Sequence, residues 1–80
     1  MKCLEERLEE AMNIRIQLRN TGIEMHHSTE LQPLFKIIEN YVRHGTSASG
    51  SMRIDANSFS KIEYNFTPTL NVVSHCRIVR

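Results

Sequence analysis

The sequence predicts an α+β domain in which two N-terminal helices pack on a three-stranded antiparallel β-meander, in the order ααβββ. Two observations carry this. Apolar residues recur at steps of three and four up to His44, and from Ser51 onward they alternate with polar ones at a period of two. The stretch "HGTSASGSMRI", His44 to Ile54, divides these regimes. It sets a helical half over 1–44, a loop over 45–50 and a meander half over 51–80, within a single domain spanning 1–80.

The first helix is read in "CLEERLEEAMNIRIQLRNTG", where Leu4, Leu8, Ala11, Met12 and Leu18 form a stripe. Glu5, Glu6, Glu9 and Glu10 crowd its first half, with Arg15 and Arg19 toward its end, an order that complements the helix dipole. Gly22 is the expected stop. Ile14 and Ile16 flank the stripe, so the helix is apolar over more than one face. The second helix is expected to open near Ser28 or Thr29, with Gln32 completing a capping box and Pro33 tolerated in the first turn. Leu34, Ile37, Ile38, Tyr41 and Val42 then share a face, and Gly45 ends the helix.

Three strands follow. "SMRIDA" sets Met52 and Ile54 against Arg53 and Asp55, and "SKIEYNF" sets Ile62, Tyr64 and Phe66 against Lys61, Glu63 and Asn65. "LNVVSHCRIV" carries β-branched residues on both faces, Val72 and Ile78 against Val73 and Val79. The short connections "DANSFS" and "TPT" favour a meander. The expected core is Leu8, Met12, Leu34, Ile38, Tyr41, Ile54, Ile62, Tyr64, Leu70, Val72 and Ile78.

Composition narrows the function classes. The formal net charge is +1, which argues against a strong general attraction to nucleic acid or acidic membranes. The charge is uneven, however: residues 1–40 hold seven acids and five bases, and residues 41–80 hold two acids and five bases. No apolar run approaches the ~20 residues that span a bilayer, so no membrane association is expected. The N-terminus enters "LEERLEEA" without the apolar core of a leader, and Cys3 and Cys76 lie at opposite ends. An intracellular setting, cytoplasmic or nuclear, is the expectation.

Gly45 and Gly50 have the spacing that begins a phosphate-binding loop, but Ser51 and Met52 stand where Lys and a hydroxyl residue are required. The loop also leaves a helix C-terminus, which repels anions. It is read as a boundary, with Gly50 freeing the turn into the first strand. His26, His27, His44 and His75 lack zinc-ligand spacing, so no metal and no cofactor is expected. His75 and Cys76 point to opposite sides of a strand and cannot act as a base and nucleophile pair. Cys76 reads as a small buried hydrophobe. The glutamates of the first helix read as a solvated face, and no catalytic constellation or small-molecule substrate site is visible.

The functional expectation is therefore a non-enzymatic protein-interaction or regulatory domain, homodimeric or bound to a protein partner. Its contact surface is expected at the second face of the first helix or along an open edge strand, with Ile14, Ile16, Val73, His75 and Val79 as interface residues. The alternative is a nucleic-acid-binding module that presents Arg53, Lys61, Arg77 and Arg80 from the polar face of the sheet.

Overall fold

The structure, a computed structural model, describes residues 1–20, 31–53 and 61–79. Its order is α1 (Leu4–Asn20), α2 (Gln32–His44), β1 (Ala48–Arg53), β2 (Lys61–Phe66) and β3 (His75–Val79). The three strands form one antiparallel sheet in the order β1-β2-β3, so the ααβββ arrangement is as the sequence predicts.

Helix α2 follows its pattern closely. Leu34, Ile38 and Tyr41 are fully buried, with Phe35, Ile37 and Val42 packed partly against them. Pro33 falls in the first turn, where its missing N–H costs nothing. Leu31 occupies the N-cap without a side-chain cap, so the helix opens later than the capping box implies; Ser28, Thr29 and Gly22 lie outside the described residues. At the other end Gly45 is left-handed (φ 65°, ψ 27°), and its N–H donates to Tyr41 O at 2.9 Å.

Helix α1 is rotated relative to the expectation. Ala11, Ile14 and Leu18 are buried, while Leu4, Leu8, Met12 and Ile16 face outward. Both stripes satisfy helical periodicity, so spacing alone cannot choose between them. The choice is made by polar anchors on the same arc as Ala11 and Ile14. Arg7 Nε donates to Val42 O at 3.1 Å and Arg7 Nη1 to Lys2 O at 2.8 Å, and Glu10 reaches Lys2 and Tyr41. Leu8 and Met12 thus leave the expected core, and Ile14 belongs to the core rather than to an interface.

On the sheet, the inward face carries Ala48, Gly50 and Met52 from β1, Ile62, Tyr64 and Phe66 from β2, and Cys76 and Ile78 from β3. Ile62 and Phe66 are fully buried, and Tyr64 and Ile78 partly so. Phe66 lies between two aromatic neighbours, with ring centroids 5.6 Å from Tyr41 and 5.7 Å from Tyr64. Ile54 lies outside the described residues.

Two strand boundaries differ from the sequence reading. β1 begins at Ala48, so Gly50 is a mid-strand residue rather than a turn, paired with Tyr64. A Cβ at Gly50 would stand 2.9 Å from the Tyr64 hydroxyl oxygen and 3.3 Å from its Cζ, so the glycine leaves room for this ring. Gly50→Val is expected to destabilise the fold by about 1–3 kcal/mol in urea unfolding through this overlap. Most of that cost should vanish in a Tyr64→Ala background, and an undiminished cost there would refute the account.

β3 begins only at His75. Residues 67–74 form a wide connection in place of a three-residue turn, with Asn71 at φ 68°, a conformation Asn tolerates. Their polar groups are engaged by the N-terminal segment: Lys2 N–H donates to Pro68 O at 2.8 Å, and Ser74 N–H to Glu10 Oε2 at 2.9 Å. Leu70 and Val72 are consequently exposed rather than core, and Val73 is not part of a two-faced strand.

Candidate functional site

Three features have the composition of a site: a buried ionic cluster, the open face of the sheet and the outer face of α1.

The cluster gathers Lys2, Glu10, Tyr41 and Ser74. Lys2 is 7% exposed, and its ammonium donates to Glu10 Oε2 at 2.8 Å, to Thr67 O at 2.9 Å and to Val72 O. The Tyr41 hydroxyl donates to Glu10 Oε1 and lies 2.9 Å from Thr67 O. Ser74 Oγ accepts from Thr67 N–H at 3.0 Å and donates to Tyr41 Oη at 3.1 Å. Burial pulls the Lys2 ammonium down, but the hydrogen bond and charge of Glu10 outweigh it and hold its pKa above the ordinary value. Burial likewise pushes Glu10 up, yet hydrogen bonds from Lys2, Tyr41 and the Ser74 backbone leave it below the usual carboxylate range. Burial and Glu10 together raise Tyr41.

Lysine, tyrosine, serine and carboxylate are residue types of acid–base chemistry. Here each is committed to another protein group, and no buried side-chain N or O among the described residues lacks a partner. The cluster therefore works as a clamp joining the N-terminus, α1, α2 and the 67–74 connection. Sequence reasoning placed Glu10 on a solvated face and passed over Lys2 and Ser74. The available signal was the position of Glu10, three residues after Arg7 and four before Ile14, on the arc that turns inward.

The clamp makes stability depend on pH from both sides. Glu10 has a lowered folded pKa, so its contribution is complete at neutral pH and is lost as pH falls through that value. Lys2 and Tyr41 have raised folded pKa values, so theirs is complete at neutral pH and is lost as pH rises through them. Thermal melts should be level between about pH 5 and pH 8 and fall on either side, the alkaline arm opening where the thiol of Cys76, raised by burial to about 11 in the fold, ionises in the unfolded chain. In Glu10→Gln the acid arm should flatten; an acid arm identical to that of wild type would remove the carboxylate from this role.

The outer face of the sheet is a polar grid set by register. Its rows are Ser49–Asn65–His75, Ser51–Glu63–Arg77 and Arg53–Lys61–Val79. Arg77 pairs with Glu63 at 3.1 Å. Arg53 and Lys61 stand directly opposite one another, and neither has an ion-pair partner among the described residues. The fold thus brings Arg53, Lys61 and Arg77 onto one face; Arg80 lies outside the described residues. Tyr64 and Phe66 point inward, so no aromatic ring among the described residues is on that face for base stacking.

The outer face of α1 shows Leu4, Leu8, Met12 and Ile16 at 49–55% exposure. Beside it a groove of about 300 Å³ runs between α1 and α2. Leu8, Met12, Phe35 and Val42 supply its apolar lining, and Arg15, Glu39 and Arg43 line it as well. Of the expected interface residues, Ile16 lies on this face, Val73 on the exposed connection, and His75 and Val79 at opposite ends of β3 on the polar grid. The structure does not unite them on one surface.

Among the described residues no group of three or more His, Cys, Asp or Glu side chains gathers to hold a metal, and no helix is long and apolar enough to cross a membrane. Burial raises the Cys76 thiol to about 11, so at neutral pH it carries its proton, whereas Cys3 is exposed. No family model, curated protein or solved structure matches this chain.

Proposed function

We propose that this chain is a non-enzymatic protein-interaction or regulatory domain whose binding surface is the outer face of α1 with the adjoining α1–α2 groove. The observation that carries the reading is the four-residue recurrence of Leu4, Leu8, Met12 and Ile16, all half exposed on a helix whose opposite side is fully packed. Scattered surface apolar residues need no explanation, but a contiguous apolar stripe beside an apolar groove is the form of a helix-docking surface. The edge of β3 is the weaker candidate, because the apolar residues expected to extend it lie in the 67–74 connection.

The test uses tagged bait. Wild type should retain a protein from host extract, its own untagged copy included, and a Leu8→Lys/Met12→Lys double variant of unchanged fold should lose it. Equal retention by both, or retention of nothing by folded wild type, overturns the reading.

A second reading, nucleic-acid binding by the outer sheet face, is favoured by one observation: Arg53 and Lys61 are held opposite each other with no counter-ion among the described residues, an unfavourable like-charge pair that a phosphate would relieve. Three cations predict a log–log salt slope of roughly −2 to −3 in filter binding. Lack of binding to single- or double-stranded nucleic acid at low salt would dispose of it.

A further inference from the structure

We infer that the open edge of β1 takes up an extended peptide as a fourth, antiparallel strand, and that this peptide carries a carboxylate side chain opposite Arg53. The surface is separate from the α1 face and does not rest on it. It uses the same Arg53–Lys61 pair as the nucleic-acid reading but assigns it a different ligand.

β1 is an edge strand, paired one-to-one with β2 along its whole length. In an antiparallel pair every second residue turns its N–H and C=O away from the partner strand. On β1 those groups bond to no other described residue, and Ser49, Gly50 and Ser51 are exposed. The devices that protect an edge are missing along it: it has no proline, no bulge and no lysine, and its one charge stands at the end, on Arg53. β3, the other edge, has α1 against it. Two observations say what fits the edge of β1. The first is charge. Arg53 and Lys61 share the outer face at one end of the edge and have no counter-ion among the described residues. A residue directly opposite Arg53 on an added strand stands ~5 Å away between Cβ atoms, so an aspartate or glutamate there pairs with it. β1 itself contains no acid, so a second copy of β1 does not supply that charge. The second is the Tyr64 ring, which crosses over Gly50 with its hydroxyl oxygen 2.9 Å from where a Cβ would stand. That hydroxyl has no hydrogen-bond partner among the described residues, and it lies at the edge, within reach of a Ser or Thr opposite Gly50. Met52, partly buried on the same face, carries the core outward and suits an apolar residue opposite it. A nucleic acid would meet Arg53 and Lys61 but offers no alternating N–H and C=O groups to the backbone of β1.

The probe is acetyl-Glu-Val-Thr-Thr-Thr-Val-amide, written so that, antiparallel to β1, its Glu stands opposite Arg53, its first Val opposite Met52 and its second Thr opposite Gly50. It is titrated to about 5 mM into the isotope-labelled full-length chain at low salt, which detects affinities as weak as millimolar, and backbone amide shifts are the readout. The amides of residues 48–53 should shift and saturate. The same peptide with Lys in place of Glu should bind about fivefold more weakly, and Arg53→Glu should reverse that preference. N-methylation at alternate peptide residues should abolish binding in one frame and leave it in the other, because only one frame removes the N–H groups that face β1. Leu8→Lys/Met12→Lys should bind the probe as wild type does, so this inference and the α1 reading fail separately. The inference is overturned by an absence of shifts in wild type, by equal binding of the two N-methylated frames, or by a preference for Glu that Arg53→Glu leaves unchanged. Shifts of β1 that depend on protein concentration without peptide, the mark of pairing with a second copy, overturn it too. So does a single-stranded oligonucleotide that shifts Arg53 and Lys61 where the peptide does not.

Discussion

Lys2→Met is expected to cost about 3–5 kcal/mol, the range for removing one partner of a buried ion pair. For an 80-residue chain that is a large share of the ~4–12 kcal/mol available to hold the fold. The loss has three parts. Glu10 keeps its charge and its bonds from Tyr41 and Ser74 but loses its counter-ion. Thr67 O and Val72 O lose a charged donor in a part-buried setting. The 67–74 connection keeps its internal hydrogen bonds but loses the Lys2 side chain that ties Thr67 O and Val72 O to Glu10 of α1. Urea unfolding measures the total, and hydrogen exchange at the Ser74 amide, which bonds Glu10, reports the local release. A cost under 1 kcal/mol would mean that the cluster is incidental. A Lys2→Met/Glu10→Leu variant should lose less than the sum of the single changes, because removing both charges leaves neither stranded.

Much of this fold is legible from spacing because α2 and β2 each have only one way to bury their apolar residues. Leu34, Ile38 and Tyr41 share a single arc, and Ile62, Tyr64 and Phe66 a single face, so pattern and structure agree. The first helix has two apolar stripes, and the decision between them belongs to Arg7, Glu10 and Lys2, whose partners outside the N-terminal segment lie 31 to 70 positions away in the chain. Local periodicity contains nothing of that. The same long-range pairing explains the connection before β3. Leu70, Val72 and Val73 have strand propensity, but the backbone polar groups around them are satisfied by side chains of the N-terminal segment, which leaves no ladder to extend. The residue type of Gly50 points to a turn, whereas its role is set by the Tyr64 ring across the strand. On the candidate surfaces, alternation correctly set Arg53, Lys61 and Arg77 on one face. The α1 stripe was visible in the sequence too, but as core, because exposure is decided by what the opposite side of the helix binds.

Ile14 and Ile16 put that decision to a direct test, since they are the same residue two positions apart with opposite environments. Ile14→Ala should cost about 2–5 kcal/mol, as should Ile38→Ala, because each deletes methyl groups from a packed site and leaves a cavity. The alanine itself is the better helix former, so the observed cost is net of a few tenths of a kcal/mol gained in propensity. Ile16→Ala removes the same atoms from a half-exposed position and should change the stability of the monomer by no more than about 0.5 kcal/mol. Urea unfolding at low micromolar concentration separates the two. If Ile16→Ala proves as costly as Ile14→Ala, α1 is rotated from the orientation described, and its outer stripe is core rather than a surface for a partner. If Ile14→Ala alone is costly, the four outward apolar residues contribute little to folding. That outcome is the one the proposed binding surface requires.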